Sequence, residues 1–326
     1  LGSSVKMAPD CVGPDVKRMV DQMNDGDVLM LENVRFHAGE TKNDPEFAKA
    51  LAANADIYVN NAFGTAHRAH ASTVGVTKYL QPSAAGFLLE KEIKYLGLAL
   101  AYPDHPFVAV IGGAKVSDKI AVIENLLDKV DTLIIGGGMA YTFLQAKGRP
   151  TGKSLVEADK ISLAKKLIQK AAEKGVNLLL PQDHIVAAEF SPTADHMVCS
   201  DANFPADWMA LDIGPATIAT YTGALRNARM VVWNGPMGVF EFDNFAKGTL
   251  AVAETLAESK ARSIVGGGDS VAAVKKAGVD SKMTLMWTGG GASGGLGAGQ
   301  EVPGLAALRD GGQGGVGGGA GGRVFV

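Results

Sequence analysis

Short apolar runs that end in a glycine-rich turn, each followed by an amphipathic stretch, recur along most of the chain. The run at 106–113 reads PFVAVIGG, and apolar residues follow it at helical spacing as far as Val130. Similar runs lie at 131–138, 176–181, 208–215, 230–236 and 262–270, with helical patterns at 155–174, 217–228, 243–259 and 270–277. Strands that alternate with helices predict an α/β fold in which right-handed crossovers join parallel strands.

Because these runs are apolar at nearly every position, we expect a sheet that is covered by helices on both faces. Ligands of such sheets bind at the carboxyl ends of the strands, where the glycine-rich turns of this sequence lie. The region before residue 90 repeats the pattern with only two runs, 27–36 and 55–64. Two βα units make a poor sheet, so the first domain is expected to be truncated.

The domain divisions follow from breaks in this pattern. A helical pattern at 86–101 is interrupted by YPDHP at 102–106, and about half of residues 289–322 are glycine. Glycine at that density does not offset the entropy lost on ordering, so 309–326 is expected to be disordered. We expect a partial N-terminal domain at 1–85, an interdomain helix at 86–101, a C-terminal domain at 102–293 and a largely disordered glycine-rich segment at 294–326.

Length and composition narrow the class of protein. A chain of 326 residues, of which 47% are hydrophobic, suggests two domains with substantial cores. The formal net charge of −3 argues against nucleic-acid binding, and no apolar run is long enough to cross a membrane. Cys11 and Cys199 are far apart in sequence, which indicates thiols in a reducing compartment and no disulfide framework.

The segment GGAKVSDK at 112–119 is a candidate phosphate site. Small residues follow a strand here and are predicted to open a helix, whose first N–H groups and dipole favour anions. Lys115 and Lys119 would then lie one turn apart on the same helix face, a spacing that suits a polyphosphate. The alternative, an ordinary tight turn with solvated lysines, is equally compatible with this motif alone.

Two other phosphate-binding patterns are rejected. TGKS at 151–154 lacks the earlier glycine of a P-loop at the required spacing, and it follows a helix, whereas a P-loop follows a strand. The glycines at 136–138 do not form the G-x-G-x-x-G fingerprint of dinucleotide-binding proteins.

Two further strand ends carry candidate ligand-binding residues. WNGPMGVFE at 233–241 offers glycines that permit close approach of a ligand to the backbone, and Glu241 as an acceptor for ribose hydroxyls. GGGDS at 266–270 places Asp269 and Ser270 at the start of a helix, where amides suit phosphate and a carboxylate suits Mg²⁺. The alternative for Asp269 is a helix N-cap without any ligand.

Basic residues gather at two strand ends in the first part of the chain. ENVRFH supplies Arg35, and GTAHRAH supplies His67, Arg68 and His70. In a chain of net negative charge, this clustering indicates an anion site, because arginine binds carboxylate and phosphate in bidentate fashion. A single such residue would more often be an ordinary surface side chain.

Taken together, the motifs resemble those of the phosphoglycerate kinase family, in the same order along the chain. They span residues 5 to about 308 and include LENVRFH (31–37), YVNNAFGTAHRAHAS (58–72), GGAKVSDK (112–119), IIGGGMAYTFL (134–144), LDIGP (211–215), VVWNGPMGVFE (231–241), VGGGDS (265–270) and TGGGAS (288–293). The resemblance implies two Rossmann-like domains with parallel sheets flanked by helices, and transfer of a phosphoryl group between ATP and the carboxylate of 3-phosphoglycerate. Each motif is weak alone, but the set is specific.

The resemblance also implies roles for individual residues. Lys115, Gly266 and Gly289 would act on the transferring phosphoryl group, and Arg35, Arg68 and His70 would hold the phosphoglycerate. Asp269 would also bind Mg²⁺. The nucleotide would be bound by residues from the glycine-rich turns and their flanks: Gly113, Ala114, Lys119, Gly137, Gly138, Asn234, Pro236, Gly238, Glu241, Gly267, Gly268, Asp269 and Ser270.

The sequence departs from the family pattern in four respects. The family's opening strands, which carry phosphoglycerate-binding residues, are missing, so we expect an impaired or inactive polypeptide. Trp287 and GGLGAG at 294–299 replace a serine and the start of an acidic, leucine-rich helix. Asn61 and Ala210 stand where the family typically has aspartate and glycine.

Two other functions stay open from sequence alone. One is a catalytically inactive nucleotide-binding fragment of the same family. The other is a nicotinamide-dependent dehydrogenase of similar fold, which the missing fingerprint disfavours. As implied by the resemblance, we expect ATP, ADP and 3-phosphoglycerate as substrates, Mg²⁺ as cofactor, and a monomer in the cytoplasm or, alternatively, a plastid, with no nucleic-acid or membrane partner.

Overall fold

The computed structural model describes residues 4–90, 102–287, 303–310 and 323–325 of the chain. The chain divides into two compact units, residues 1–94 with 300–326, and residues 95–299. The first unit begins with β1 (Lys6–Met7), α1 (Pro14–Asp21), β2 (Leu29–Met30), α2 (Ala38–Thr41), α3 (Pro45–Ala52), β3 (Ile57–Asn60) and β4 (Ser83–Ala85).

The second unit contains most of the described helices and strands. In chain order they are β5 (Phe107–Ile111), α4 (Ile120–Leu126), β6 (Thr132–Ile135), α5 (Met139–Ala146), α6 (Ile161–Glu173), β7 (Asn177–Leu179), β8 (Asp183–Ala187), β9 (His196–Ser200), β10 (Met209–Ile213), α7 (Pro215–Arg226), β11 (Met230–Asn234), α8 (Lys247–Glu258), β12 (Arg262–Gly266), α9 (Gly268–Lys276) and β13 (Leu285–Trp287). The chain then returns to the first unit with α10 (Pro303–Asp310) and β14 (Val324–Phe325).

A parallel sheet lies at the centre of the second unit. Its strands, as far as they are described, follow the order β13-β12-β11-β5-β6-β7. β5 lies in the middle of this sheet and is buried at all five positions, as expected for a strand that is apolar throughout. Helices α7, α8 and α9 contribute Tyr221, Leu256 and Val274 to the core that contains Trp233 of β11. The predicted α/β fold with parallel strands is therefore confirmed.

The predicted strand at 208–215 is present, but it does not join the parallel sheet. β10 pairs antiparallel with β8, which pairs antiparallel with β9. This small sheet was not predicted, because β9 is exposed at four of its five positions and gives little apolar signal. Strand pairing of this kind depends on contacts between distant segments, so the pattern within one run does not reveal its partner.

Several helix and strand boundaries also differ from the sequence-based prediction. The helix expected at 155–174 begins only at Ile161, after a 3-10 turn at Ala158–Lys160. The strand expected at 27–36 is reduced to Leu29–Met30, since the Asn33 side chain accepts a hydrogen bond from the Arg35 N–H (3.0 Å) and turns the chain into a 3-10 helix. Of the predicted interdomain helix, residues 87–90 are helical and 91–101 lie outside the described residues.

The described part of the first unit contains two small parallel sheets, β1-β2 and β14-β3-β4. The expected disorder of the C-terminal segment is wrong for α10 and β14. Leu308 and Phe325 pack against a buried cluster that includes Tyr58 and Leu80, and the Gly304 N–H donates to the Ala66 carbonyl (2.8 Å). Leu305 is buried, and Leu308 and Phe325 are partly buried against the first unit, which glycine content alone does not reveal.

None of the helices in the described ranges is both long and apolar enough to span a bilayer.

Candidate functional site

Four glycine-rich turns of the second unit meet at one edge of the parallel sheet. Asn234 at the end of β11 is in register with Ile111 at the end of β5 and with Gly266 at the end of β12. β6, which precedes the turn at 136–138, lies on the other side of β5. The carboxyl ends of these strands therefore bring together the motifs that the sequence analysis identified separately.

The turns pack against each other through their backbones. Gly235 has φ +99°, and a Cβ at this position would lie 2.2 Å from the carbonyl oxygen of Gly112. A Cβ on Gly112 would in turn lie 2.1 Å from the carbonyl oxygen of Pro236. Any side chain at either position would overlap the facing backbone, which explains the need for glycine in both turns.

Hydrogen bonds hold these turns in register. The Gly113 N–H donates to the Pro236 carbonyl (3.1 Å), and the Gly137 N–H donates to the Met237 carbonyl (3.0 Å). The buried Ser270 hydroxyl accepts a hydrogen bond from the Gly235 N–H (2.6 Å). The turns after β5, β6, β11 and β12 thus form one connected surface.

Lys119 lies within this surface and is half-buried. Its ammonium group donates a hydrogen bond to the Asn234 side-chain oxygen, and the carboxylates of Asp118 and Asp269 interact with it electrostatically. Burial lowers the pKa of Lys119, because desolvation disfavours the charged form, and the two carboxylates partly oppose this effect. Lys119, Asn234 and Asp269, which come from three different motifs, are therefore neighbours.

The structure does not support an N-cap role for Asp269. Gly267 occupies the N-cap position of α9 without a side-chain hydrogen bond, and Asp269 lies in the first turn with its residue exposed. Within residues 102–287 no side-chain hydrogen bond engages its carboxylate. An exposed carboxylate beside a half-buried lysine is thus available to a ligand.

One structural prediction about the lysine motif is wrong. The helix begins at Ile120 and not near Lys115, so Lys115 and Lys119 do not share a helix face. The intervening loop is held by Glu157, whose carboxylate accepts hydrogen bonds from the Ser117 N–H (3.1 Å) and hydroxyl (2.6 Å). These long-range bonds satisfy the loop without a helix, and Lys115 remains exposed.

Two helices begin at this edge of the sheet, and the N-terminus of a helix favours anions. Gly138 is the N-cap residue of α5, and Gly267 is the N-cap residue of α9. Neither helix has a side-chain cap, so their first N–H groups and positive dipole ends face the turns without a capping side chain. The helix start expected near Gly113 and Ala114 is absent, whereas the helix starts at Gly138 and Gly267 are present.

Sequence reasoning missed two buried polar residues that support the turns. Asp212 is buried and accepts hydrogen bonds from the N–H groups of Ile213 (2.9 Å) and Gly248 (2.9 Å). A Cβ on Gly238 would lie 2.4 Å from its carboxylate. Thr249, also buried, accepts a hydrogen bond from the Met237 N–H (3.0 Å). An acidic residue inside the apolar strand MALDI was the available signal for Asp212.

The remaining predicted residues of the second unit vary in how they are placed. Glu241 follows the turn after β11 and is exposed, and Gly266 is buried at the end of β12. Ala210 lies on β10, where its N–H donates to the Ser154 hydroxyl (3.0 Å). Gly289 and the segment 294–299 lie outside the described residues, as does the side chain of Trp287.

The predicted basic residues of the first unit are brought together around His67. Arg68 Nε donates a hydrogen bond to His67 Nε2 (3.1 Å), and Arg68, His70 and Arg35 all interact electrostatically with this imidazole. The pKa of His67 is lowered, first by burial and then by these positive neighbours. Arg35 and Arg68 are exposed, so their guanidinium groups are accessible to an anion.

His70 is positioned by a buried carboxylate that the sequence analysis did not identify. Its Nδ1 lies 3.5 Å from Glu40 Oε1, and Glu40 also accepts hydrogen bonds from the Ser72 N–H (2.9 Å) and hydroxyl (2.6 Å). These contacts of Glu40 fix the orientation of His70 at the edge of the basic cluster.

Asn61, which departs from the family pattern, accepts a hydrogen bond from the Leu88 N–H (2.9 Å).

Comparisons with known proteins agree with this geometry. A family profile for phosphoglycerate kinase matches residues 1–299. A phosphoglycerate kinase from Moorella thermoacetica is 61% identical over 310 residues, which cover 95% of this chain and 79% of that protein. One from Clostridium botulinum is 58% identical over 312 residues, covering 95% of this chain and 78% of that protein.

A solved structure of phosphoglycerate kinase from Coxiella burnetii has 47% sequence identity and a TM-score of 0.81, covering 87% of this chain and 73% of that one. Sequence and fold thus agree over most of the described chain. The chain belongs to the phosphoglycerate kinase family.

Proposed function

We propose that this chain is a phosphoglycerate kinase, which transfers a phosphoryl group reversibly between ATP and the carboxylate of 3-phosphoglycerate. The observation that carries the proposal is the convergence of Lys119, Asn234 and Asp269 at the glycine-rich edge of the parallel sheet. Family membership supplies the reaction, and this edge supplies a place where a nucleotide polyphosphate fits.

In this proposal the nucleotide phosphates bind where positive charge and free amides meet. Lys119 neutralises phosphate charge, and the N-termini of α5 and α9 offer their first N–H groups through Gly138 and Gly268. The backbone-packed turns at Gly113 and Gly137 leave no side chains to obstruct the phosphates. Glu241, exposed beyond the same edge, is assigned to the ribose hydroxyls.

Mg²⁺ fits this site on the chemistry of the donors. Asp269 provides a hard oxygen ligand that no hydrogen bond of the described second unit engages, and Mg²⁺ in nucleotide sites commonly uses one or two carboxylates together with substrate phosphates. Bound Mg²⁺ would neutralise charge that develops on the phosphate oxygens during transfer. Asp269 holds its exposed position because Ser270, its neighbour, is fixed to Gly235.

We assign the acceptor to the basic cluster of the first unit. Arg35 and Arg68 present guanidinium groups that suit carboxylate and phosphate, and His70 is oriented by Glu40. The reacting group of 3-phosphoglycerate is a carboxylate, which is already ionised at neutral pH. No general base is therefore required, and the described residues contribute alignment and charge stabilisation.

The transferring group itself is assigned to Lys115 with Gly266 and Gly289. Lys115 is exposed and has no hydrogen bond to any described residue, so its ammonium group is free to follow a phosphoryl group. An exposed cation of this kind stabilises negative charge without requiring proton transfer.

The proposal includes a monomer in the cytoplasm. Two buried free thiols, Cys11 and Cys199, support a reducing compartment, since no disulfide joins them. The family profile and the relatives described above are phosphoglycerate kinases, and they lend no support to a nicotinamide-dependent reaction.

The activity is tested by following ATP formation from MgADP and 1,3-bisphosphoglycerate with the purified chain. We expect ATP formation at the reduced rate that the sequence analysis predicts, and its loss in Lys119→Met, while Lys165→Met on the exposed face of α6 behaves like the original chain. MgADP binding without any ATP formation would contradict the proposed activity and favour a nucleotide-binding fragment that does not catalyse transfer.

A further inference from the structure

Three potential metal ligands of the first unit lie together after β1 and β2. These strands are parallel, and the Ala8 N–H donates to the Met30 carbonyl (2.8 Å) just beyond their last pair. Asp10 and Cys11 follow β1, whereas His37 follows β2 and directly precedes α2. The parallel arrangement therefore brings two distant parts of the sequence to the same edge.

The three side chains form a compact group. His37 Nε2 lies 2.7 Å from Asp10 Oδ1, and the nearest ligand atoms of Asp10, Cys11 and His37 all lie within 4.8 Å of one another. In the part of the chain that the structure describes, no other group of three or more histidine, cysteine, aspartate or glutamate side chains has this geometry.

The surrounding contacts hold these ligands in place. The His37 ring stacks on Phe47, with ring centroids 5.0 Å apart and an interplanar angle of 26°. Asn54 Nδ2 donates to the Cys11 carbonyl (3.1 Å), and the Cys11 N–H donates to Asp10 Oδ1 (2.6 Å). A site whose ligands are already positioned loses little conformational entropy when it binds a metal.

We propose that Asp10, Cys11 and His37 bind Zn²⁺ or a similar divalent transition metal. A thiolate, an imidazole and a carboxylate are all common zinc ligands, and three protein ligands leave a fourth tetrahedral position for water. The thiolate and imidazole disfavour Mg²⁺, which prefers oxygen ligands. This site is therefore distinct in chemistry from the Mg²⁺ site assigned to Asp269.

Metal binding requires the three ligand atoms, which lie within 4.8 Å of one another, to rearrange around the ion. In a tetrahedral site with bonds of about 2.0–2.1 Å, the coordinated nitrogen and oxygen lie roughly 3.3 Å apart. The present separation of 2.7 Å between His37 and Asp10 must therefore open by about half an ångström. The metal replaces this hydrogen bond, and the Cys11 thiol loses its proton to solvent when the sulfur–metal bond forms.

The alternative is that Asp10 and His37 form an ordinary ion pair and that Cys11 is only a core residue. Cys11 does pack with Ala48, Leu51 and Ala71, as a core residue would. The two possibilities differ in whether the sulfur binds a metal. Cobalt is a suitable probe because Co²⁺ takes the same ligands as Zn²⁺, and bonding to thiolate produces a charge-transfer absorption in the near ultraviolet.

The experiment is a Co²⁺ titration of the full chain followed by absorption spectroscopy, with Zn²⁺ affinity measured against a chromophoric chelator. We expect one Co²⁺ per chain with thiolate charge-transfer absorption, displaced by Zn²⁺. Cys11→Ser should abolish this absorption, and His37→Gln should weaken Zn²⁺ binding at least about tenfold. Cys199→Ser is the matched control, since Cys199 is also a buried free thiol and belongs to no such group.

Circular dichroism of each variant establishes that it is folded. The half-exposed His37 is the safer position should Cys11→Ser fail to fold. The proposal would be overturned by Zn²⁺ affinity that is unchanged in folded His37→Gln, by the absence of thiolate absorption in the original chain, or by its loss in Cys199→Ser.

Discussion

Lys119 forms a hydrogen bond within the protein and is also proposed to bind the nucleotide phosphates. Its charge is desolvated, and the carbonyl oxygen of the Asn234 side chain is the hydrogen-bond acceptor that the described structure provides. A polyphosphate would add negative charge next to this ammonium group and compensate for the desolvation. The residue is therefore better satisfied with a nucleotide bound than without one.

Asp212 gives a pH-dependent prediction at the same scale. Burial raises the pKa of this carboxyl from 3.8 to about 7, while hydrogen bonds from Gly248 and Ile213 and the charge of Lys247 act in the opposite direction. Because the folded-state pKa is raised, the folded protein binds the proton more tightly, and the contribution to stability is lost as the pH rises through about 7.

The free energy of unfolding should therefore fall between pH 4 and pH 7 by up to about 4 kcal/mol from this group, at about 1.4 kcal/mol for each pKa unit. Asp212→Asn should lack this component, although it is less stable overall, because the two N–H groups bond to different carboxylate oxygens and an amide has only one oxygen. Urea unfolding followed by fluorescence measures the effect, because all three tryptophans belong to the second unit. Parallel pH profiles for the two proteins would show that Asp212 remains ionised when folded.

At the residue scale the sequence identified candidate ligand-binding side chains, but not the polar residues that support them. Asn234 and Asp269 were singled out in motifs at the ends of apolar strands, and Lys119 was singled out by its spacing from Lys115 and by the family resemblance. Asp212, Thr249 and Glu40 were missed, because their roles depend on backbone groups that fold against them from distant positions. Local patterns carry no information about such long-range hydrogen bonds.

The glycine turns of the second unit pack tightly against each other, whereas a glycine within a helix does not. Two glycine-to-alanine substitutions should therefore change the free energy of unfolding in opposite directions. Gly235→Ala should destabilise the protein by at least about 2 kcal/mol, from its positive φ and from overlap with Gly112. Gly223→Ala within α7 meets no atom within 4 Å, and should stabilise the protein by about 0.5–1 kcal/mol. Urea denaturation of both variants measures this difference, and equal effects would mean that the turns are not tightly packed.

Strands were predicted correctly where the strand and its neighbours in the sheet are all apolar. β5, β6, β11 and β12 were recognised because strands buried within a parallel sheet are apolar throughout. The helix expected near Lys115 was wrong, since Glu157 binds Ser117 and holds the preceding residues in a loop. β9 was missed because a mostly exposed strand resembles a polar loop in sequence. β8 is buried, but it begins with the polar residues Asp183 and His184 and so interrupts the apolar pattern of a strand.

At the scale of the whole molecule, the chain order does not match the division into units. β14 pairs with β3, and Asp56 accepts a hydrogen bond from the Arg323 N–H (3.0 Å), although 267 positions separate the two residues. Sequence patterns identify domains from continuous segments, so they assigned 294–326 to a separate segment. The described C-terminal elements belong instead to the first unit.

The central claim for the molecule is that the glycine-rich edge of the second unit binds a magnesium nucleotide. Isothermal titration calorimetry of the full chain with MgADP tests it directly, using Lys119→Met and Asp269→Asn with Lys165→Met as the control. We predict binding to one site per chain, weakened about 10- to 100-fold in Lys119→Met, the loss expected for a charge-assisted hydrogen bond. Asp269→Asn should weaken MgADP binding more than binding of ADP without Mg²⁺. Unchanged affinity in both folded variants, or no MgADP binding by the folded original chain, would contradict the account.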